Sequence, residues 1–215
     1  IGKTLADLRG YMPDYLGSNA NGEMFWYNGD NVLKSTATGP ISIANFDQEK
    51  LAQINLQEGF VDQSGNLFYS EAFSCYALKK LSPGASAPVN LSAPHQDEDC
   101  ASVSPSDGPV SGKELLNSSN LAFDANGDIY LTEKTIMTLS TKIRKITTST
   151  GVLSTIAGTG VRGSTGADGS VATAADINVY GDIDVDGLGN VYFIQVINGD
   201  STKIRRVKPD GTIET

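Results

Sequence analysis

Leu121-Ala-Phe-Asp-Ala-Asn-Gly-Asp-Ile-Tyr-Leu-Thr-Glu133 is the stretch whose reading decides the fold. Leu121 to Phe123 is one short apolar run, Ile129 to Leu131 is another, and Asp-Ala-Asn-Gly lies between them. The Asp124 carboxylate can accept hydrogen bonds from backbone N–H groups just downstream, and Gly127 can take the positive φ that closes a right-twisted connection. The stretch predicts a β-hairpin.

The same pattern occurs four times. Asn19-Ala-Asn-Gly-Glu-Met-Phe-Trp26, Asp62-Gln-Ser-Gly-Asn-Leu-Phe-Tyr69, Asp124-Ala-Asn-Gly-Asp-Ile-Tyr-Leu131 and Asp186-Gly-Leu-Gly-Asn-Val-Tyr-Phe193 each put Asp or Asn three before the glycine. An apolar-aromatic pair follows two and three after it. Downstream comes a strand with basic residues between apolar ones: Val32-Leu-Lys34, Leu78-Lys-Lys-Leu81, Ile143-Arg-Lys-Ile146 and Ile204-Arg-Arg-Val207. A fourth strand is read at Ile41-Ser-Ile-Ala44, Leu153-Ser-Thr-Ile156 and Thr212-Ile-Glu-Thr215, and more weakly at Val89-Asn-Leu91.

Four antiparallel strands per repeat is the plan of a propeller blade. The expected fold is an all-β β-propeller domain over residues 15–215, with four blades at about residues 15–46, 57–92, 119–158 and 181–215. These form either a closed four-bladed ring or an arc of a larger propeller. Residues 1–14 match no repeat and read as an N-terminal tail or donated segment. Gly22, Gly65, Gly127 and Gly189 lie 43, 62 and 62 residues apart, whereas a compact blade needs about 40 to 45. The excess predicts insertions at about 82–118 and 158–180.

Ile156-Ala-Gly-Thr-Gly160, Gly166-Ala-Asp-Gly169 and Ala172-Thr-Ala-Ala175, followed by the Asp186 hairpin and Lys203-Ile-Arg-Arg-Val207, resemble the NHL-repeat β-propellers. The resemblance is specific over residues 120–215 and weaker in the first two copies. Ser170-Val171 stands where the family commonly has Gly-Pro, and Gln195-Val-Ile-Asn-Gly stands where it usually has Asp-Thr-Gly-Asn. The resemblance implies propeller blades; among its members and their relatives are lyases and lactonases, which use metal or acid-base groups around a central channel, and RNA binders with a basic face.

Bulk chemistry narrows the partners. With 16 basic and 25 acidic residues the net charge is −9, which disfavours nucleic acid and anionic lipid surfaces. No run of 18 apolar residues is present, so no membrane span is expected. A chain opening on Ile1 suits a processed or excerpted protein. Cys75 and Cys100 either form one disulfide, worth roughly 3 kcal/mol in the chain-entropy model, or are two separate thiols. Asn90-Leu-Ser92 and Asn117-Ser-Ser119 fit the N-glycosylation pattern. Together these predict an extracellular or secreted glycoprotein whose partners are proteins, including other copies of itself, with N-linked glycan at Asn90 and Asn117.

Candidate chemistry is sparse, and no catalytic, cofactor or metal residues are assigned. His95 is the sole histidine, which excludes a site with several His ligands. A hydrolytic triad would have to recruit it, and no Gly-x-Ser-x-Gly elbow appears. Gly2-Lys3-Thr4 lacks the rest of a phosphate-binding loop. Asp124-x-Asn126-x-Asp128 resembles a calcium loop, but Ile129 occupies the position that needs glycine. Asp182-x-Asp184-x-Asp186 reads as an alternating strand, a cation site only if all three carboxylates converge. Lys79-Lys80, Arg144-Lys145 and Arg205-Arg206 recur at one blade position and are expected to bridge to acidic turns of the neighbouring blade. Phe25, Trp26, Tyr27, Phe68, Tyr69, Tyr130, Tyr192 and Phe193 are expected to pack blade on blade.

The resulting expectation is a non-enzymatic extracellular binding or structural module, a self-associating subunit of a surface or filamentous assembly. The alternatives are a propeller lyase or lactonase acting at the central channel, and an adhesion or signalling propeller recognising peptide or glycan. Function is sought where the copies differ, in residues 82–118 and 158–180 and at the ends.

Overall fold

Every one of the four predicted hairpins forms, and each opens a four-stranded antiparallel meander. The computed structural model describes residues 14–28, 31–45, 54–71, 77–93, 105–115, 121–134, 141–197 and 201–215. Blade 1 is β1 (Asp14–Ser18), β2 (Met24–Tyr27), β3 (Asn31–Lys34) and β4 (Ile41–Asn45), hydrogen-bonded in that order. Blade 2 repeats the order with β5 (Ile54–Val61), β6 (Leu67–Glu71), β7 (Ala77–Leu81) and the two-residue β8 (Val89–Asn90). The chain is thus all-β, with four propeller blades, and among the described residues helix is confined to the 3-10 turns Val110–Gly112 and Ala172–Ala174.

Blades 3 and 4 depart from the expected four strands. Blade 3 contains β10 (Leu121–Phe123), β11 (Ile129–Lys134), β12 (Thr141–Thr147) and β13 (Val152–Ala157), and β9 (Gly108–Pro109) adds a fifth strand on β13. Blade 4 contains β15 (Val179–Val185), β16 (Val191–Ile197), β17 (Ser201–Val207) and β18 (Thr212–Glu214), with β14 (Ser170–Val171) as the fifth strand on β18. The segments expected as insertions at 82–118 and 158–180 therefore each contribute an outer strand to the blade that follows. Their backbones repeat: Val110 N–H donates to the Gly151 carbonyl, and Ala172 N–H donates to the Gly211 carbonyl. A two-residue strand leaves no hydrophobic period to read.

The chain divides into two compact units, the first built on β1 to β8 and the second on β9 to β18. In the first, Leu16, Phe25 and Val32 of blade 1 bury against Val61, Leu67 and Tyr69 of blade 2. In the second, Ala122, Tyr130 and Ile143 of blade 3 bury against Ile183, Val191, Phe193, Val207 and Ile213 of blade 4. Alternate residues of each strand enter these layers, as the period of two requires. Phe25, Tyr69, Tyr130 and Phe193 thereby take the predicted blade-to-blade role.

Candidate functional site

The turn end of each blade is built by one Asx residue. Asn19 Oδ1 accepts from the N–H of Asn21 and Glu23, and Asp62 Oδ1 from Ser64 and Asn66. Asp124 Oδ1 accepts from Asn126 and Asp128, and Asp186 Oδ1 from Leu188 and Asn190. The glycines between them, Gly22, Gly65, Gly127 and Gly189, have φ of 73°, 79°, 76° and 82°, a region that side-chain-bearing residues avoid. Two carboxylates facing each other across such a turn would repel. Three turns avoid this by pairing one acid with one amide: Asn19 with Glu23, Asp62 with Asn66, Asp186 with Asn190. The fourth has Asp124 and Asp128, and the Lys145 ammonium neutralises both at 3.3 and 2.9 Å.

A cation facing an aromatic ring recurs above these turns. The cross-strand partners are Phe25 with Lys34, Tyr130 with Lys145 and Tyr192 with Arg206, and Lys80 lies 5.8 Å from the Phe68 ring centre. Burial disfavours the charge on Lys145, but its contacts with Tyr130 and Asp128 outweigh this and raise its pKa. Burial likewise works against the Asp128 carboxylate, and Lys145 and the Thr148 N–H outweigh it, so its pKa is lowered. Lys34 pairs with Glu23 and Arg206 with Glu214. These bridges stay within a blade, which corrects the expectation of bridges to the neighbouring blade: the acid lies on the same turn or the adjoining strand, within one side chain's reach.

Adjacent residues on a strand face opposite ways, so the first basic residue of the blade 3 and blade 4 pairs does something else. The fully buried Arg144 pairs with buried Glu133, donates to the Pro105 carbonyl at 3.0 Å and reaches Asp107 at 3.1 Å. Asp107 Oδ1 also accepts from the Thr155 N–H and hydroxyl. Arg205 repeats the arrangement, donating to Gln195 Oε1 at 3.1 Å and to the Gly166 carbonyl at 2.8 Å, with Asp168 at 3.8 Å. Asp168 Oδ1 accepts from the Thr215 N–H and hydroxyl. These latches pin the fifth strands to their blades. The sequence held a signal for them, Pro105-x-Asp-Gly-x-Val110 against Gly166-x-Asp-Gly-x-Val171.

Each unit has a groove at the turn end between its two blades. One of about 400 Å³ is lined by Asn19, Lys34, Ile41, Gly65 and Pro83. Its counterpart of about 540 Å³ is lined by Asp124, Tyr130, Lys145, Gly189 and Pro209. Asn19 and Gly65 in the first and Asp124 and Gly189 in the second belong to the repeated turns, and this repetition assigns them to the blade plan.

The first strands of blades 1, 2 and 4 each carry an irregularity. Register shifts interrupt β1 between Tyr15 and Gly17, β5 between Asn55 and Phe60, and β15 between Val179 and Ile183. Bulges of this kind re-aim side chains and are over-represented next to active sites. In β15 the bulge leaves Tyr180, Asp182 and Asp184 exposed. Asp186 instead serves the turn, and its bonds to Asn190 lower its pKa. The three carboxylates do not converge, and among the described residues no three of His, Cys, Asp and Glu form a group suited to a metal ion. Asp124 and Asp128 are used by turn and lysine, as a hairpin requires. Asn90 is exposed on β8. Cys75, Cys100, Asn117, His95 and residues 1–13 lie outside the described residues.

No family model matches the chain, and no curated protein is significantly similar to it in sequence. Solved structures are similar in fold. A gluconolactonase of Xanthomonas campestris matches with a TM-score of 0.51 at 11% identity, over 91% of this chain and 58% of that one. A regucalcin of Agrobacterium tumefaciens, described as a calcium-binding protein, matches at 0.53 and 12%, over 96% and 60%. A puromycin hydrolase matches at 0.55 and 13%, over 95% and 28%. The chain spans less than two thirds of each of these proteins. Gluconolactonase and puromycin hydrolase are enzymes, which corrects the expectation of a non-enzymatic extracellular module: the fold found here is one that carries hydrolytic enzymes.

Proposed function

We propose that the chain forms the blades of a propeller hydrolase acting at the central channel on small lactones or related esters. The observation that carries this reading is the likeness in fold to a gluconolactonase over 91% of the chain. The chemistry available agrees with it. A lactone opens when water adds to the carbonyl carbon and the ring C–O bond breaks, giving a hydroxy acid, and the step needs a base to take the water proton. Asp182 and Asp184 are exposed carboxylates on the first strand of blade 4, at a bulge in its pairing with β16. A carboxylate base acting on water suits a chain with no nucleophile elbow better than an acyl-enzyme route does.

The test is a substrate panel given to the purified protein at pH 7, with and without calcium, magnesium or zinc. It comprises γ- and δ-aldonolactones, a p-nitrophenyl ester and an aminoacyl arylamide. Lactone opening above the uncatalysed rate supports the reading. Cleavage of the arylamide alone would point to peptidase chemistry, and inertness towards the whole panel sinks the hydrolase reading. The NHL-like signature over residues 120–215 supports an NHL-type lineage for the blades. A secreted origin with a Cys75–Cys100 disulfide and glycans at Asn90 and Asn117 is a separate proposal, which intact-mass analysis tests: two free thiols and no glycan would remove it.

A further inference from the structure

The two fifth strands differ at their outer edges. The Val110 N–H donates to the Gly151 carbonyl of blade 3, and the Ala172 N–H to the Gly211 carbonyl of blade 4. The register pairs Pro109 with Val152 and Val171 with Thr212, so Pro109 and Val171 hold the same place in their blades. Successive residues of an antiparallel strand direct their backbone groups to opposite sides. With Ala172 bonded inward, Val171 points its N–H and carbonyl away from β18, at the end of the strand order. Pro109 has no N–H to offer there, and proline blunts a sheet edge against further pairing. Blade 4 keeps the donor. Pro109 is exposed with blade 4 packed beside blade 3, so this place on a blade lies open when the next blade is present.

Val171 also lines the groove of about 540 Å³ between blades 3 and 4. The polar side chains of that groove are largely engaged with one another. The Tyr130 hydroxyl donates to Asp124, Lys145 holds Asp124 and Asp128, the Thr155 hydroxyl donates to Asp107 and the Thr212 hydroxyl to Asp210. Tyr130 is its one aromatic residue, and the Lys145 ammonium lies 4.9 Å from the ring centre. A sugar would therefore meet no open aromatic face. What the groove offers is apolar: Val171 is 58% and Leu188 81% exposed, Pro209 is exposed and Ile156 half-buried. We propose that β14 and this groove form a docking site for an extended peptide, which pairs with the Val171 backbone and sets an aliphatic side chain against Ile156, Leu188 and Pro209. Charge selects the flanks of that peptide. Asp168, two residues before β14, and Asp210, in the groove wall, expose 61% and 63% of their side chains, which favours Lys or Arg beside the aliphatic anchor. The groove of the first unit has no fifth strand beside it among the described residues. The site uses neither Asp182 nor Asp184 and is independent of the hydrolase reading.

Random heptapeptides displayed on phage provide the test. They are selected on the 215-residue chain, and the recovered sequences are synthesised with a fluorescent label and titrated by polarisation. The expected peptides share an aliphatic residue with Lys or Arg close to it. Val171→Pro should weaken their binding at least tenfold and leave the melting temperature unchanged, because Val171 already has φ of −66° and Pro109 fills the matching place at −56°. Methylating each backbone nitrogen of a recovered peptide in turn should find a position that weakens binding to the unsubstituted chain as much, which reads the strand pairing without altering the protein. Leu188→Ser should weaken binding as well, through the groove. Any of four results would overturn the proposal: no sequence recovered above a blank surface, a shared acidic motif, binding unchanged by Leu188→Ser, or binding that neither Val171→Pro nor any methylated position weakens.

Discussion

Asp186 holds the last turn through two backbone N–H groups, the Asn190 amide and the Tyr192 hydroxyl. Hydrogen bonds to a charged acceptor are stronger than those between neutral groups, and contribute less at an exposed turn than in the interior. Asp186→Ala is expected to lower the midpoint of urea unfolding. Asp186→Asn should cost less, since Asn19 performs the backbone part of the role in blade 1, and Asp186→Asn with Asn190→Glu would rebuild the Asn19 and Glu23 pair. A larger loss from Asn than from Ala would contradict the turn account. The buried Arg144 offers a sharper comparison. Glu133→Leu strands a buried guanidinium and should cost about 3–5 kcal/mol. Glu133→Gln reproduces the Arg205 and Gln195 pair of blade 4 and should cost under about 1.5 kcal/mol, read from the same denaturation curves. The turn residues were legible in the sequence because an Asx turn is closed by groups two and four residues away. Arg144 was not, because its partner Asp107 lies 37 residues upstream.

The elements that the sequence concealed are β9 and β14. A compact spacing of about 40 to 45 residues leads one to treat the surplus as insertion, yet Gly108–Pro109 and Ser170–Val171 are outer strands fixed by the Asp107 and Asp168 latches. Asp107→Ala removes both Thr155 contacts and the Arg144 contact, so β9 should detach while blade 3 persists. Hydrogen exchange reads this directly: the Val110 N–H is expected to lose protection at least tenfold while the Ile143 N–H keeps it. Equal loss at both would mean that the latch supports the whole blade. The strands β11, β12, β16 and β17 were legible because their apolar, aromatic and basic residues recur at the same offsets in successive blades. The bulge in β15 was not, because a register shift is set by the partner strand and leaves the local pattern of Asp182, Asp184 and Asp186 intact.

Across the molecule the pH response follows from the same groups. Partial burial opposes the Asp107 charge, but the Thr155 bonds and Arg144 outweigh it and lower its pKa, and Asp128, Asp210 and Glu214 are lowered as well. A carboxyl whose folded pKa lies below its unfolded value of about 4 stabilises the fold above that pH and loses the contribution as pH falls through the folded value. Lys145 is raised, so its contribution is present below the unfolded lysine pKa of about 10.4 and declines as pH rises beyond it. The melting temperature should therefore be level between about pH 5 and 9 and fall on either side, with Asp128→Asn flattening the acid limb; an acid limb unchanged by that substitution would contradict the assignment. The four-blade plan was legible because it is written four times, whereas the function was not, since the repeated residues serve turns and packing and the sites that differ carry few chemically distinctive groups. The measurement that bears most directly on the proposed function is the pH-stat rate of δ-lactone opening by the purified protein. The account predicts a rate above background that falls at least tenfold in the Asp182→Asn, Asp184→Asn double variant with its melting temperature unchanged. A rate equal to background in the unsubstituted protein, with each divalent ion supplied, would contradict it.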